Sequence, residues 1–189
     1  MPDKNLDFGK YGARGIKGSD AAARKLDDLA GGIATPIDQK RGLMARLNYL
    51  TKTAHAKSAA RAAGLTVTDR TLKAWTSGKR RPNARSLAAI EQAYRTVRRE
   101  NVAAHLLKRL NGGGGTRVEF HPLNQSGVAR PYQRALSYRS MNVRHWDAMV
   151  NAWAAGDQQG MDDAWDDIAV DLGSDWGQMQ YVSALGFSA

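Results

Sequence analysis

The side chains of this sequence best suited to chemistry are the hydroxyl and basic groups around a short predicted helix, from about Asp69 to Thr76. Hydroxyl, guanidinium and ammonium groups donate hydrogen bonds to the edges of DNA bases, and a helix fits the major groove. Four such side chains stand at the start of this helix: Thr68, Arg70, Thr71 and Lys73. We predict that these four make base or near-base contacts.

A run of cations follows the same helix, between Gly78 and Pro82. Positive charges just beyond a base-reading helix are suited to the phosphate backbone, although most such triplets elsewhere are simply solvated. A long predicted helix, from Ala84 to about Leu110, carries more arginines. We predict phosphate contacts for these cations: Lys79, Arg80, Arg81, Arg85, Arg95, Arg98 and Arg99.

The neighbouring pattern is typical of a helix-turn-helix. A predicted helix from His55 to Ala63 has small alanines on one side, and Gly64 permits the turn that follows. Leu72 and Trp75 form the apolar face of the second helix, so Trp75 is expected in the core rather than on DNA. A helix from Pro36 or Asp38 to about Leu50 should pack beside the pair, with its Lys40, Arg41 and Arg46 facing DNA or water.

The charge distribution favours a polyanion-binding module joined to a second module. Residues 1–111 hold 23 Lys or Arg against 9 Asp or Glu, a net charge of +14, whereas residues 112–189 hold 5 against 9, a net charge of −4. The chain has no Cys, which fits a reducing cytoplasm, and no apolar run predicts a membrane span or a secretory signal. We therefore expect a cytoplasmic, nucleoid-associated protein.

The predicted fold class is α+β, mostly α. Residues 1–18 are predicted to be a flexible basic arm, 19–111 a helical DNA-binding domain, 112–115 a glycine linker and 116–189 a small α+β domain. In the last domain TRVEFHP alternates like a strand, and 132–138 is a candidate second strand. A helix capped by Asn142 and a second one after Gly156 predict an αα-hairpin with tryptophan-bearing faces, before a final strand within 179–187.

No pattern in the sequence predicts catalysis, a metal or a cofactor. The four His are scattered, and no GxSxG motif is present. The aspartates between 162 and 175 lie mostly at i, i+4 spacing opposite Trp165 and Ile168. A solvated helix face explains them better than a hard-cation site, which needs converging ligands from other segments. We therefore expect neither an enzyme nor a metalloprotein.

Two resemblances carry these expectations further. The run WTSGKRRP, Trp75 to Pro82, resembles the exit of the second helix in repressor-type (XRE) helix-turn-helix proteins, although the turn GLTVTD is longer than usual there. Residues 43–189 are similar in order to the telomere-protecting terminal proteins of actinobacterial linear chromosomes and plasmids. The shared order is RTLKAWTSGKRRP, an Arg-rich helix, a Gly-rich break, a TRVEF-like strand and a helical C-terminal part.

The second resemblance implies a protein that caps replicon ends and offers a hydroxyl as primer for the first nucleotide, without being a catalyst. Its partners would be telomeric DNA, a telomere-associated protein and a DNA polymerase. The implied priming hydroxyl lies in the loop after the first C-terminal strand, where Ser126 is a candidate and Tyr132 a weaker one. Ordinary turn chemistry beside Gly127 is nevertheless the favoured explanation of Ser126. The alternative functions are a repressor-like regulator that forms a homodimer through its C-terminal domain, and a partner-binding adaptor.

Overall fold

A computed structural model of the protein describes residues 5–7, 15–122, 139–171 and 181–188. These residues form a mostly helical α+β structure with seven α-helices and one antiparallel sheet, which confirms the predicted fold class. The candidate strand over 132–138 lies outside the described residues. Among the helices that are described, none is long and apolar enough to cross a bilayer.

The chain divides into two compact units. Gly31–Val102 forms one, which we call the helical unit, and Met1–Ala30 with Ala103–Ala189 forms the other, which we call the sheet unit. This division differs from the predicted boundaries at residues 19, 111 and 116. The reason is that helix α1 (Gly18–Ala30) buries Ala21, Ala22 and Leu26 within the sheet unit, where it packs on the C-terminal strand and helix.

The helical unit contains α2 (Lys40–Thr51), α3 (Ala54–Ala62), α4 (Asp69–Thr76) and most of α5 (Ala84–Asn111). The observed α4 has the predicted bounds, α3 begins and ends one residue earlier than predicted, and α5 ends one residue later. Gly64 has a φ of +94°, as its place in the turn requires. The core joins one apolar face from each helix: Leu43, Leu47, Leu50, Ala60, Leu65, Leu72, Trp75, Ile90, Ala93, Tyr94 and Val97. Trp75 is 4% exposed, which confirms its predicted core position.

Arg46 lies inside this unit, contrary to the expectation that it faces DNA or water. Its side chain is 7% exposed, and its Nε forms an ion pair with Glu91 Oε2 at 2.5 Å. Its Nη1 donates to the carbonyl of Thr35 at 2.8 Å, and its Nη2 to that of Ile33 at 3.2 Å. The guanidinium carbon stands 5.2 Å from the centre of the Tyr94 ring. Arg46 therefore ties the segment before α2 to α5.

The sheet unit is built around its last strand. Strand β3 (Thr116–Pro122) pairs with β4 (Arg139–Val143) on one side and with β5 (Tyr181–Ser188) on the other, all antiparallel. The free side of β5 pairs with β1 (Asn5–Asp7) and β2 (Ile16–Lys17). The predicted strand TRVEFHP is thus confirmed, and so is the predicted final strand over the described residues 181–187. The predicted flexible arm is wrong for these two segments, because their backbones hydrogen-bond to β5.

Buried tryptophans hold the sheet and its helices together, as the sequence predicted. The αα-hairpin of α6 (Asp147–Ala155) and α7 (Gln158–Asp171) turns at Gly156, whose φ is +70°. Trp165 packs edge-on against Phe120 with ring centres 5.7 Å apart, and Trp153 Nε1 donates to Asp27 at 3.0 Å. One detail differs from prediction: α6 begins at Asp147 and not after Asn142, because 139–143 is drawn into the sheet by β3.

The glycines 112–115 are a turn within the sheet unit and not a linker between domains. Gly112–Gly114 form a 3₁₀ turn that leads from α5 straight into β3. Gly115 has a φ of +98°, and a Cβ there would lie 2.3 Å from the Val143 carbonyl oxygen. This close approach of two backbones explains the need for glycine. The composition signal was correct as a break between elements, but the contacts on both sides belong to one unit.

Polar contacts of Asp162 join α7 to the N-terminal segment. Burial raises the pKa of Asp162, but hydrogen bonds from Lys17, Ser19 and Gln158 outweigh it and hold that pKa below its ordinary value. The same Asp162 raises the pKa of Lys17. Asp166, one turn further on, has a raised pKa because of burial first and of the negative charges of neighbouring aspartates second. The acidic face of α7 is therefore partly structural.

Candidate nucleic-acid interface

All of the protein's net positive charge lies in the helical unit, although that unit holds only 15 of the 28 Lys and Arg residues. Residues 31–102 hold 15 Lys or Arg against 4 Asp or Glu, a net charge of +11, whereas the rest of the chain holds 13 against 14, a net charge of −1. Of the 15 cations only Arg46 is buried. A unit of this size with such an excess attracts polyanions at long range. The predicted boundary at residue 111 separates larger net charges, +14 and −4, than the division by structure does.

The first turn of α4 is built by its two threonines. Thr68 caps the helix: its Oγ1 accepts a hydrogen bond from the Thr71 backbone N–H at 3.2 Å and lies 2.9 Å from Thr71 Oγ1. Thr68 is exposed and Thr71 half-buried. A capping hydroxyl stabilises the helix start by about 0.5–2 kcal/mol. Both hydroxyls therefore position α4, and each keeps further hydrogen-bonding capacity for a ligand.

The two cations of α4 project from its exposed side. Arg70 and Lys73 are exposed, and neither forms a hydrogen bond or ion pair with the part of the chain that the structure describes. By contrast Asp69, also exposed on α4, pairs with Arg61 of α3 at 2.7 Å. Leu72 and Trp75 anchor the opposite side of α4 in the core. The helix thus presents two unpaired donors from a fixed, short platform.

The cation run beyond α4 is held by one of its own members. Arg81 Nη2 donates to the Asp38 carbonyl oxygen, just before α2, at 2.8 Å. Gly78, with a φ of +72°, ends the helix, and Pro82 is buried. Lys79 and Arg80 are exposed. Arg81 therefore forms a structural hydrogen bond and also keeps an exposed surface. Among the described residues no acidic side chain pairs with Lys79 or Arg80, so both can contact an anionic partner.

The predicted phosphate contacts on α5 differ in accessibility. Arg85 and Arg95 are exposed, but Arg95 Nε also pairs with Glu91 at 3.1 Å on the same helix. Arg98 and Arg99 are half-buried. Arg85, on the first turn after the cation run, is thus the α5 arginine with the fewest competing contacts.

Lys57 on α3 is a candidate that sequence reasoning missed. It lines a groove of about 290 Å³ together with Lys73 and Thr76 of α4. The available signal was its exposed position on α3, beside the buried face that Ala56 and Ala60 form. The groove shows that this flank of α3 lies beside α4. Lys57 therefore belongs with Arg70 and Lys73 as a possible anion contact.

The two hydroxyls considered for priming, Ser126 and Tyr132, lie outside the described residues. The structure therefore adds nothing to either of them. Comparison of the chain with protein-family models, with curated proteins and with solved structures finds no match. The functional argument consequently depends on the helical unit and its surface.

Proposed function

We propose that the protein binds duplex DNA selectively through a helix-turn-helix formed by α3 and α4. In this arrangement α4 enters the major groove, and its N-terminal part reads base edges. Arg70 and Lys73 make the base contacts, Thr68 and Thr71 orient them, and Lys57 assists from α3. Lys79, Arg80, Arg81 and the arginines of α5 contact phosphates: Arg85, Arg95, Arg98 and Arg99.

The observation that supports this proposal is that the helical unit combines a high positive charge with a firmly anchored helix α4. Its net charge is +11, and the two exposed cations of α4 have no described partner, while the other side of that helix is buried. Two exposed donors on a rigid helix suit base edges, which require fixed geometry. The exposed cations at the helix exit suit phosphates, which require mainly charge.

The base-reading role is tested with the double variant Arg70→Ala, Lys73→Ala. A preferred duplex is first selected from a randomised pool, and binding is measured by fluorescence anisotropy on that duplex and on a scrambled one. We expect the variant to lose more affinity for the selected duplex, by roughly tenfold or more, since each good base contact discriminates by about 1–3 kcal/mol. Lys108→Ala with Arg144→Ala, exposed cations of the sheet unit, is the matched control. Equal losses on both duplexes would remove α4 from base reading.

The phosphate role is tested by neutralising Lys79, Arg80 and Arg81 together. Affinity should fall evenly on both duplexes. The negative slope of log K against log salt should become shallower by about 2–3, at roughly 0.9 per lost phosphate contact. An unchanged slope with reduced affinity would mean that these residues only support the fold, as the bond from Arg81 to Asp38 would allow. Circular dichroism of the free variant distinguishes that case.

We propose further that the protein acts at the ends of a linear replicon as a terminal protein. This part rests on the sequence resemblance, and it makes telomeric DNA, a telomere-associated protein and a DNA polymerase the partners. One residue, Ser126 or the weaker candidate Tyr132, would bond covalently to the first nucleotide. The helix-turn-helix then brings the protein to DNA, and the sheet unit carries the priming segment.

Mass spectrometry separates this role from that of a repressor-like regulator. Protein recovered from replicating cells and treated with nuclease should carry a nucleotide adduct on a peptide from 123–138. An unmodified mass would argue strongly against priming. A regulator instead binds a palindromic duplex as a dimer, with half-sites about one helical turn apart, which analytical ultracentrifugation with DNA detects.

A further inference from the structure

A second groove of the helical unit lies between the start of α2 and the chain that leaves α4. Its volume is about 280 Å³, near the lower end of small-molecule sites, which run from about 300 to 1,000 Å³. Leu43, Met44 and Trp75 supply its apolar lining. Leu43 and Trp75 are themselves part of the core, so this lining is fixed, while Met44 is half-exposed and adaptable.

The rim of this groove carries a net positive charge. Lys40, Arg80 and Arg81 line it together with one acid, Asp38. Arg81 is held by the backbone of Asp38 at 2.8 Å. Lys40 and Arg80 are exposed and have no partner among the residues described. An inorganic anion would leave the apolar lining uncovered, and a neutral apolar ligand would gain nothing from the two free cations.

We propose that this groove binds a small organic acid, a compact apolar body with one anionic group. The apolar body contacts Met44 and Leu43, and the anionic group pairs with Lys40 and Arg80. Because Arg80 is also a phosphate contact in the proposed function, the bound acid and duplex DNA compete. The competition rests on the proposed function, whereas the binding of the acid does not.

The test uses 8-anilinonaphthalene-1-sulfonate as the probe, with the full chain. Its fluorescence should rise saturably, and the ¹H–¹⁵N correlation spectrum should shift at the Gly78 and Leu43 amides and at the Trp75 indole. Lys40→Ala with Arg80→Ala should weaken binding about tenfold or more, as should Met44→Glu, which places a like charge beside the sulfonate. The matched controls are the double variant Lys52→Ala, Lys108→Ala and the single variant Gln92→Glu. These exposed positions do not line the groove, and the controls should bind within about twofold of the parent chain.

Each outcome decides one part of the proposal. If the probe shifts resonances of residues other than Gly78, Leu43 and Trp75, the groove is not its site. The same conclusion follows if the control variants weaken probe binding as much as the groove variants do. The selected duplex should displace the probe. If the duplex binds without displacing it, the competition is refuted while DNA binding stands. If the probe binds in the groove but no duplex binds at all, the acid site is supported, and the DNA-binding proposal and the competition both fail.

Discussion

Replacing Arg46 is the sharpest test of how the helical unit holds its shape. The Arg46 side chain is 7% exposed, pairs with Glu91 and donates to carbonyls of the segment before α2. Removing one partner of a buried ion pair costs about 3–5 kcal/mol. Glu91 is 23% exposed and keeps Arg95 as a second partner, which reduces the penalty. We therefore expect Arg46→Ala to cost about 3–4 kcal/mol.

That cost is large for a unit of this size. At roughly 0.05–0.15 kcal/mol per residue, residues 31–102 have on the order of 4–11 kcal/mol of stability in total. Arg46→Lys keeps the charge but loses the planar fork that reaches several acceptors at once, so it should cost about 2 kcal/mol. Arg41→Ala, an exposed cation on the same helix, is the control and should change stability by less than about 0.5 kcal/mol.

Native-state amide exchange measures these changes in each unit separately. The protected amides of Leu47 and Val97 report the opening of the helical unit, and that of Phe120 reports the sheet unit. Arg46→Ala should lower the opening free energy at the first two and leave Phe120 unaffected. Two results would refute this role of the planar Arg46 guanidinium in joining the segment before α2 to α5. One is a loss of opening free energy below about 1 kcal/mol in Arg46→Ala, and the other is an Arg46→Lys variant as stable as the parent chain.

The remaining predictions concern the sheet unit. Asp162→Asn should destabilise it at pH 7, because the lowered pKa of Asp162 means that its stabilisation is present above the unfolded pKa of about 3.9 and is lost as pH falls through the lower folded value. Asp166→Asn should stabilise it at pH 7 and lose that advantage below about pH 4, since the raised pKa of Asp166 makes ionisation in the folded state unfavourable. Urea unfolding of the two variants at pH 7 and below about pH 4 tests these predictions. If both variants change the free energy of unfolding at pH 7 in the same direction, the opposite pKa shifts are contradicted. Gly18→Ala should cost at least about 1–3 kcal/mol, because a Cβ there would stand 1.9 Å from Trp165 Cε2, whereas Gly112→Ala meets no atom within 4 Å and should be nearly neutral in the same measurement.

Local patterns predicted the elements of this protein well. The spacing of Leu72 and Trp75 and the Gly78 exit predicted α4 correctly. The sequence offers Thr66 or Thr68 as its cap, and the structure shows Thr68 in that position. Asn83 likewise caps α5, with its Oδ1 accepting from the Ser86 N–H at 2.8 Å. Such signals depend on backbone hydrogen bonding near the residue itself, so they can be read without a tertiary structure.

The misjudged features depend on partners far away in the sequence. Residues 5–7 have no strand pattern of their own, and they become a strand because they pair with 184–186. Arg46 was assigned to the surface because it is charged, but its ion-pair partner Glu91 is on another helix. The candidate DNA-contacting residues of α4 could be named from residue type, while the contribution of Lys57 became visible only once α3 and α4 were adjacent. Non-local pairing is what single-sequence reasoning lacks.

The position of β5 also has a consequence for the order of folding. Its partners β1, β2 and β3 come from both sides of the helical unit in the sequence, and the sheet cannot assemble until 181–188 has left the ribosome. The helical unit, with its largely local contacts, is complete about 80 residues earlier, which is several seconds at typical synthesis rates. During translation the nascent chain therefore carries a folded, strongly basic segment while β5 is not yet available to pair with β1, β2 and β3.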